Sequence, residues 1–174
     1  RIVAVADDLS SADCSQRIDA TGRIVAPGFI DVHNHSDAWL RKIPHIVAKT
    51  AQGFTTEVIM ADGISYAPVD EDTAPEWIYY MRSLNGLLFE EYDGWRSIAD
   101  YMSGLDRRMA QNAITHLPYA NVKAMATGWG RGVPDDYQMA LMRADIERGM
   151  AQGAVGVSFG IDYIAQCFST TDEM

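Results

Sequence analysis

Cysteine is scarce in this 174-residue chain: there are two, Cys14 and Cys167, far apart and outside any CxxC pair. That excludes a disulfide framework and a zinc ribbon, and points to reduced thiols in a cytoplasmic enzyme. Positive charge is also short, with 14 Lys and Arg against 24 Asp and Glu and a net charge of −10. A nucleic-acid partner needs clustered Lys and Arg, so this balance argues against one. No apolar run approaches the roughly 20 residues of a membrane span. A nucleophile elbow, a phosphate loop and a dinucleotide fingerprint are all missing; Gly128-Trp129-Gly130-Arg131-Gly132 lacks the strand-turn-helix spacing of the last. The chain opens on Arg1, with neither initiator Met nor signal-like segment, which suggests that the true N-terminus lies elsewhere.

What is present is the composition of a globular protein, 48% hydrophobic and 22% charged. Its most informative stretch is Gly28-Phe29-Ile30-Asp31-Val32-His33-Asn34-His35-Ser36-Asp37. An apolar, strand-forming run delivers two histidines two positions apart. Alternate residues of a strand share a face, so both imidazoles can reach one ion. Neutral imidazoles suit zinc and other divalent first-row metals. Asp31, one alternate position earlier, is placed to orient a ligand or fill a polar layer.

Around this stretch, the patterning predicts short strands at 2–5, 16–20 and 23–26, punctuated by Asp/Ser clusters and Gly22. From Gly28 the pattern alternates. A buried strand at 29–33 precedes an amphipathic helix over 38–52 that ends at Gly53, and the next strand covers 55–60. A long excursion, 64–110, holds helices near 74–84 and 94–104. A third strand is predicted at 113–119. A helix of about 17 residues opens at Pro134-Asp135-Asp136 with Met139, Met142, Ile146 and Met150 on one face, and a fourth strand covers 154–158. Strand–helix units in series imply a parallel α/β sheet, doubly wound or barrel. Four such units make half of a (β/α)8 barrel, so the chain reads as a fragment cut at both ends.

Several further residues invite chemistry. Asp62 follows the second strand, either as the turn residue of an Asp-Gly pair or as a carboxylate ligand beside the histidines. His116, within the third strand, reads as a core or supporting residue, and His45 as structural. Arg131 offers either a substrate-carboxylate contact or a surface salt bridge. Tyr163, after the fourth strand, offers either a hydroxyl for a ligand or aromatic packing.

These residues resemble the amidohydrolase superfamily, and within it the N-acyl-D-amino-acid deacylase (D-aminoacylase) family. Residues 18–31 are similar to the passage from a small flanking β-sandwich into the first barrel strand. His33 and His35 match the metal-binding HxH, and Asp37 the acid that follows it. Gln52-Gly53-Phe54-Thr55-Thr56 and Gly153-Ala154-Val155-Gly156-Val157-Ser158 resemble the approach to the second strand and the fourth strand. The resemblance implies a β-sandwich portion at 1–27 and the N-terminal half of a TIM barrel, four β/α units, at 28–174. It also implies one or two Zn2+ ions or another divalent metal, held by His33, His35 and Asp62, and a substrate-binding Tyr163. The reaction implied is hydrolysis of a small-molecule N-acyl-D-amino acid, with the general base and two further histidine ligands on later strands. This segment alone is therefore expected to be inactive. Asp62 stands where the family carries a cysteine, Pro118-Tyr119 where it carries Gly-His, and Lys123 where it carries arginine. Phe159 and Ala165-Gln166 likewise replace a threonine and a Pro-Gly pair. These departures leave open a cyclic-amide hydrolase of the dihydroorotase or hydantoinase kind, and a non-catalytic barrel.

Overall fold

Short strands run parallel, in chain order, with helices between them. The structure, a computed structural model, describes residues 2–174. Strand β1 (Phe29–Asp31) pairs with β2 (Phe54–Ile59), and β2 with β3 (Asn112–Thr115), placing Asp31, Glu57 and Ala113 side by side. Beyond β3 the same chain segment changes partner. The His116 N–H still donates to Ile59 O at 3.1 Å, but Leu117 N donates to Gly156 O at 2.8 Å. Strand β4 (Leu117–Pro118) then pairs in parallel with β5 (Val157–Ser158). The parallel α/β class predicted from the patterning is the one observed.

Between these strands lie α1 (Asp37–Lys42), α2 (Val47–Thr50), α3 (Thr73–Asn85), α4 (Ile98–Ser103), α5 (Tyr119–Thr127) and α6 (Asp136–Ala151). Asp135 caps α6: its carboxylate accepts from Gln138 N at 2.8 Å while Gln138 Oε1 accepts from Asp135 N at 3.0 Å. The buried core gathers under the 64–110 excursion, where Tyr66, Trp77, Met81, Ile98 and Tyr101 pack with Ile59 and Met60 at the end of β2. Trp95 Nε1 donates to Tyr66 O at 2.8 Å, and Tyr101 Oη to Asp37 O at 2.7 Å. Both aromatic polar groups are thereby satisfied inside the core. No described helix is long and apolar enough to cross a membrane.

The structure corrects six expectations. The buried strand predicted at 29–33 is the shorter β1, which ends at Asp31 before His33; it lies at the sheet edge, which leaves Phe29 and Ile30 more than half exposed. The helix predicted over 38–52 is two helices, α1 and α2, because Pro44 forces Ile43 out of helical geometry (φ −127°, ψ 87°). The third strand stops at Pro118, and Tyr119 instead begins α5, a helix buried over Tyr119–Ala124 that lacks a polar stripe to announce it. The fourth strand contracts to Val157–Ser158. Residues 2–27 form no strand, and Ile2, Ile18 and Ile24 are at least 80% exposed. A strand needs a neighbour for its backbone groups, and none of the described residues supplies one there. On α6, Met142 is buried but Met150 is exposed, so the apolar face is narrower than the predicted stripe.

Candidate metal centre

His33 and His35 leave the end of β1 on either side of Asn34, whose side chain pins the segment. Asn34 Nδ2 donates to Val58 O at 3.3 Å on β2, and its Oδ1 accepts from Ser36 N at 2.9 Å. Both imidazoles turn toward one carboxylate. His33 Nε2 lies 3.3 Å from Asp62 Oδ1, and His35 Nε2 lies 3.2 Å from Asp62 Oδ2. The three side chains bring one ligand atom each within 4.8 Å of one another. His35 Nδ1 is buried with no hydrogen-bond partner, so that ring's polar contact is made wholly on its Nε2 side. Two nitrogens and a carboxylate converging in this way fit a divalent first-row cation.

Asp62 belongs to a single 3-10 turn, Ala61–Gly63, at the end of β2. Its backbone is left-handed (φ 58°, ψ 16°), as is that of Met60 (φ 62°, ψ 45°). Such conformations cost roughly 1–3 kcal/mol each in a non-glycine residue, and the cost is higher for Met than for Asp. The Tyr163 hydroxyl donates to Asp62 Oδ2 at 3.2 Å. Burial, and then the adjacent Asp62 carboxylate, raise the Tyr163 pKa, so the hydroxyl keeps its proton at neutral pH.

Beneath the histidines sits a charged cluster that sequence reasoning missed. Lys49 of α2 donates to Asp31 Oδ2 at 2.8 Å, Ser36 Oγ at 2.8 Å and Glu57 Oε2 at 2.6 Å. These three bonds use every hydrogen of the ammonium and bind both flanks of the His33–His35 segment. Asp31 accepts in addition from the His33 backbone N–H at 3.3 Å. Burial alone would raise Asp31; the Lys49 ammonium and this N–H outweigh it and hold its pKa below the usual value. Asp37 lies fully buried next to this segment, accepting from Met60 N at 3.0 Å and Ser65 Oγ at 2.6 Å. Desolvation dominates there and raises its pKa. No motif could have revealed Lys49: its carboxylate partners are 18 and 8 residues away, on two different strands.

The other candidates fall outside the convergence. His116 occupies the break between β3 and β4; burial, then the nearby His33, lower its pKa, and its Nδ1 has no partner. His45, between α1 and α2, contacts Thr50 Oγ1 through Nε2 at 2.7 Å on an exposed surface. Arg131 lies over the Phe168 ring, 4.4 Å from its centroid. Lys123 and Tyr119 both bind Glu173, at 2.6 and 2.9 Å.

Comparison with known proteins identifies the family. The sequence pattern of the amidohydrolase family matches residues 16–163. The D-aminoacylase of Alcaligenes xylosoxydans xylosoxydans is 33% identical over 173 residues, covering 99% of this chain and 34% of its own length. A D-aminoacylase crystal structure superposes with a TM-score of 0.79 at 31% identity, over 99% of this chain and 35% of that one. The N-acyl-D-glutamate deacylase of Bordetella bronchiseptica was solved with zinc and a phosphonate mimic of the tetrahedral intermediate. It matches at a TM-score of 0.72 and 29% identity, over 89% of this chain and 31% of that one. The chain thus spans about a third of the length of these relatives. With a family match over most of its residues, the chain belongs to the amidohydrolase family.

Proposed function

We propose that this chain contributes to the metal centre of an enzyme that hydrolyses a linear amide, an N-acyl-D-amino acid, to a free D-amino acid and a carboxylate. The observation that carries the reading is the convergence of His33, His35 and Asp62 at one end of the parallel strands. In this reading residues 28–174 are the first four units of a (β/α)8 barrel. Residues 1–27 belong to a flanking β-sandwich, in which they would form strands only against partners outside 1–174.

His33, His35 and Asp62 would hold one or two divalent ions, zinc being the first candidate. A bound ion of this kind supplies Lewis acidity, which acidifies water and polarises a carbonyl. The chain's own residues do the rest of the local work. Asn34 and the Lys49 cluster keep the two imidazoles facing Asp62. Tyr163 donates its single hydroxyl proton to Asp62 Oδ2 here; with Asp62 engaged by an ion, that proton would turn to an anionic group such as the substrate carboxylate. Hydrolysis adds the elements of water across the acyl C–N bond, the oxygen to the acyl carbon and a proton to the departing amine. The general base that moves this proton, with further ligands, is supplied by residues outside 1–174.

The test is a panel of N-acyl-D-amino acids, their L-isomers and cyclic amides, offered to the complete enzyme before and after chelator dialysis and zinc restoration. Metal-dependent turnover of the D-isomers is expected. Turnover confined to cyclic amides, or turnover indifferent to the chelator, would overturn the proposal.

A further inference from the structure

Against the Asp62 turn packs the end of β5, with the segment that follows it. We propose that residues 158–166 form a bracket that presets the Asp62 carboxylate, with Ser158 and Gln166 as positioning residues for metal binding. The inference rests on the reading of Asp62 as a ligand.

A turn carrying two left-handed non-glycine residues, Met60 and Asp62, does not hold itself, because each relaxes to a cheaper conformation when released. Four contacts prevent that. Ser158 spans the turn: its Oγ donates to Met60 O at 2.6 Å and accepts from Gly63 N at 3.0 Å. Gln166, only 1% exposed, donates from Nε2 to Asp62 O at 2.7 Å. Gly160 backs the same residue so closely that a Cβ would stand 2.4 Å from Asp62 O and 3.0 Å from Asp62 Cβ. Gly63 permits the approach from the other side, since a Cβ there would meet Gln166 Oε1 at 2.5 Å and Ser158 O at 2.9 Å.

Together these contacts fix the Asp62 carbonyl and Cβ, leaving only the side-chain torsions free. Tyr163 then engages Oδ2 at 3.2 Å. A carboxylate ordered before the ion arrives loses less freedom on binding it, which appears as affinity. Contacts of this supporting kind are typically worth about 10–100-fold in metal affinity. The bracket also reaches far along the chain, with Gln166 and Asp62 separated by 104 residues. It therefore exists only once β5 has docked beside β4.

The test is a Co2+ titration of the metal-free complete enzyme, read as a dissociation constant and as the visible ligand-field spectrum. Gln166→Met keeps the side-chain length and removes the donor; Ser158→Ala removes only the hydroxyl. Each is expected to weaken Co2+ by about 10–100-fold and to alter the spectrum, while the melting temperature of the metal-free protein stays within a few degrees of wild type. Should Gln166→Met not fold, Ser158→Ala, at a partly exposed position, decides alone. Wild-type affinity and spectrum in the bracket variants, with affinity lost in Asp62→Ala, would overturn the bracket and leave the ligand assignment standing. Unchanged affinity in Asp62→Ala itself would overturn both.

Discussion

The Lys49 ammonium stands 2.8 Å from Asp31 Oδ2, and through that carboxylate it reaches the backbone of His33. The same ammonium neutralises Glu57, whose side chain is completely buried. Removing Lys49 leaves a buried carboxylate without a counter-charge. Gln111 Nε2, 3.2 Å from Glu57 Oε1, is a neutral donor and cannot replace it.

Lys49→Met is therefore expected to destabilise the fold by about 3–5 kcal/mol, the usual cost of orphaning a buried ion. Adding Glu57→Gln should restore part of the loss. Urea unfolding of the single and double variants measures both effects. A single-variant loss below about 1 kcal/mol, the range of an exposed pair, would contradict the account.

Acid stability has a separate source. Glu173 accepts from the Lys123 ammonium and from the Tyr119 hydroxyl, the latter pushed up to about 12 first by burial and then by Glu173 itself. Burial would raise Glu173; its bonds to Lys123, Thr170 and Tyr119 outweigh that and lower it from its ordinary value of 4.5. Between the lowered folded value and 4.5, the unfolded chain binds a proton that the folded chain does not. Stability from this group therefore rises with pH in that window. It is complete above the unfolded value and is lost as pH falls through the folded one. Glu173→Gln should flatten the acid limb of a stability–pH curve measured by urea unfolding. A curve parallel to wild type would show that the pair contributes nothing to acid stability.

Gly149 invites the opposite of the usual helix rule. Replacing a helical glycine by alanine normally gains about 1 kcal/mol. Here a Cβ would stand 2.6 Å from Leu117 Cδ1 and 3.4 Å from its Cγ, and Leu117 is fully buried in β4. Overpacking of this kind costs about 1–3 kcal/mol and should win. Gly149→Ala is expected to lower the melting temperature; an unchanged or higher value would show that β4 yields.

How much of this was legible beforehand depended on the range of the interaction. The parallel α/β class, the passage from β1 into His33 and His35, and the capped start of α6 at Asp135 all follow from neighbours in sequence. Pro44 also carried a local signal, the break between α1 and α2, which the amphipathic pattern over 38–52 obscured. Helix α5 has no polar stripe, because it is buried along most of its length. Asp62 was legible as one of two alternatives, turn residue or carboxylate ligand. The geometry makes it a turn residue whose carboxylate faces both histidines. Lys49 and Gln166 were illegible because their roles come from partners on other elements, joined only by tertiary packing.

Whether Asp62 holds the metal with His33 and His35 decides the reading of the site. It is tested most directly by zinc per chain in the complete Asp62→Ala enzyme after equilibration at limiting free zinc, alongside wild type. The variant is expected to stay folded and lose zinc. Wild-type zinc content in a folded Asp62→Ala protein would contradict it, and Asp62 would then be only the residue that makes the turn.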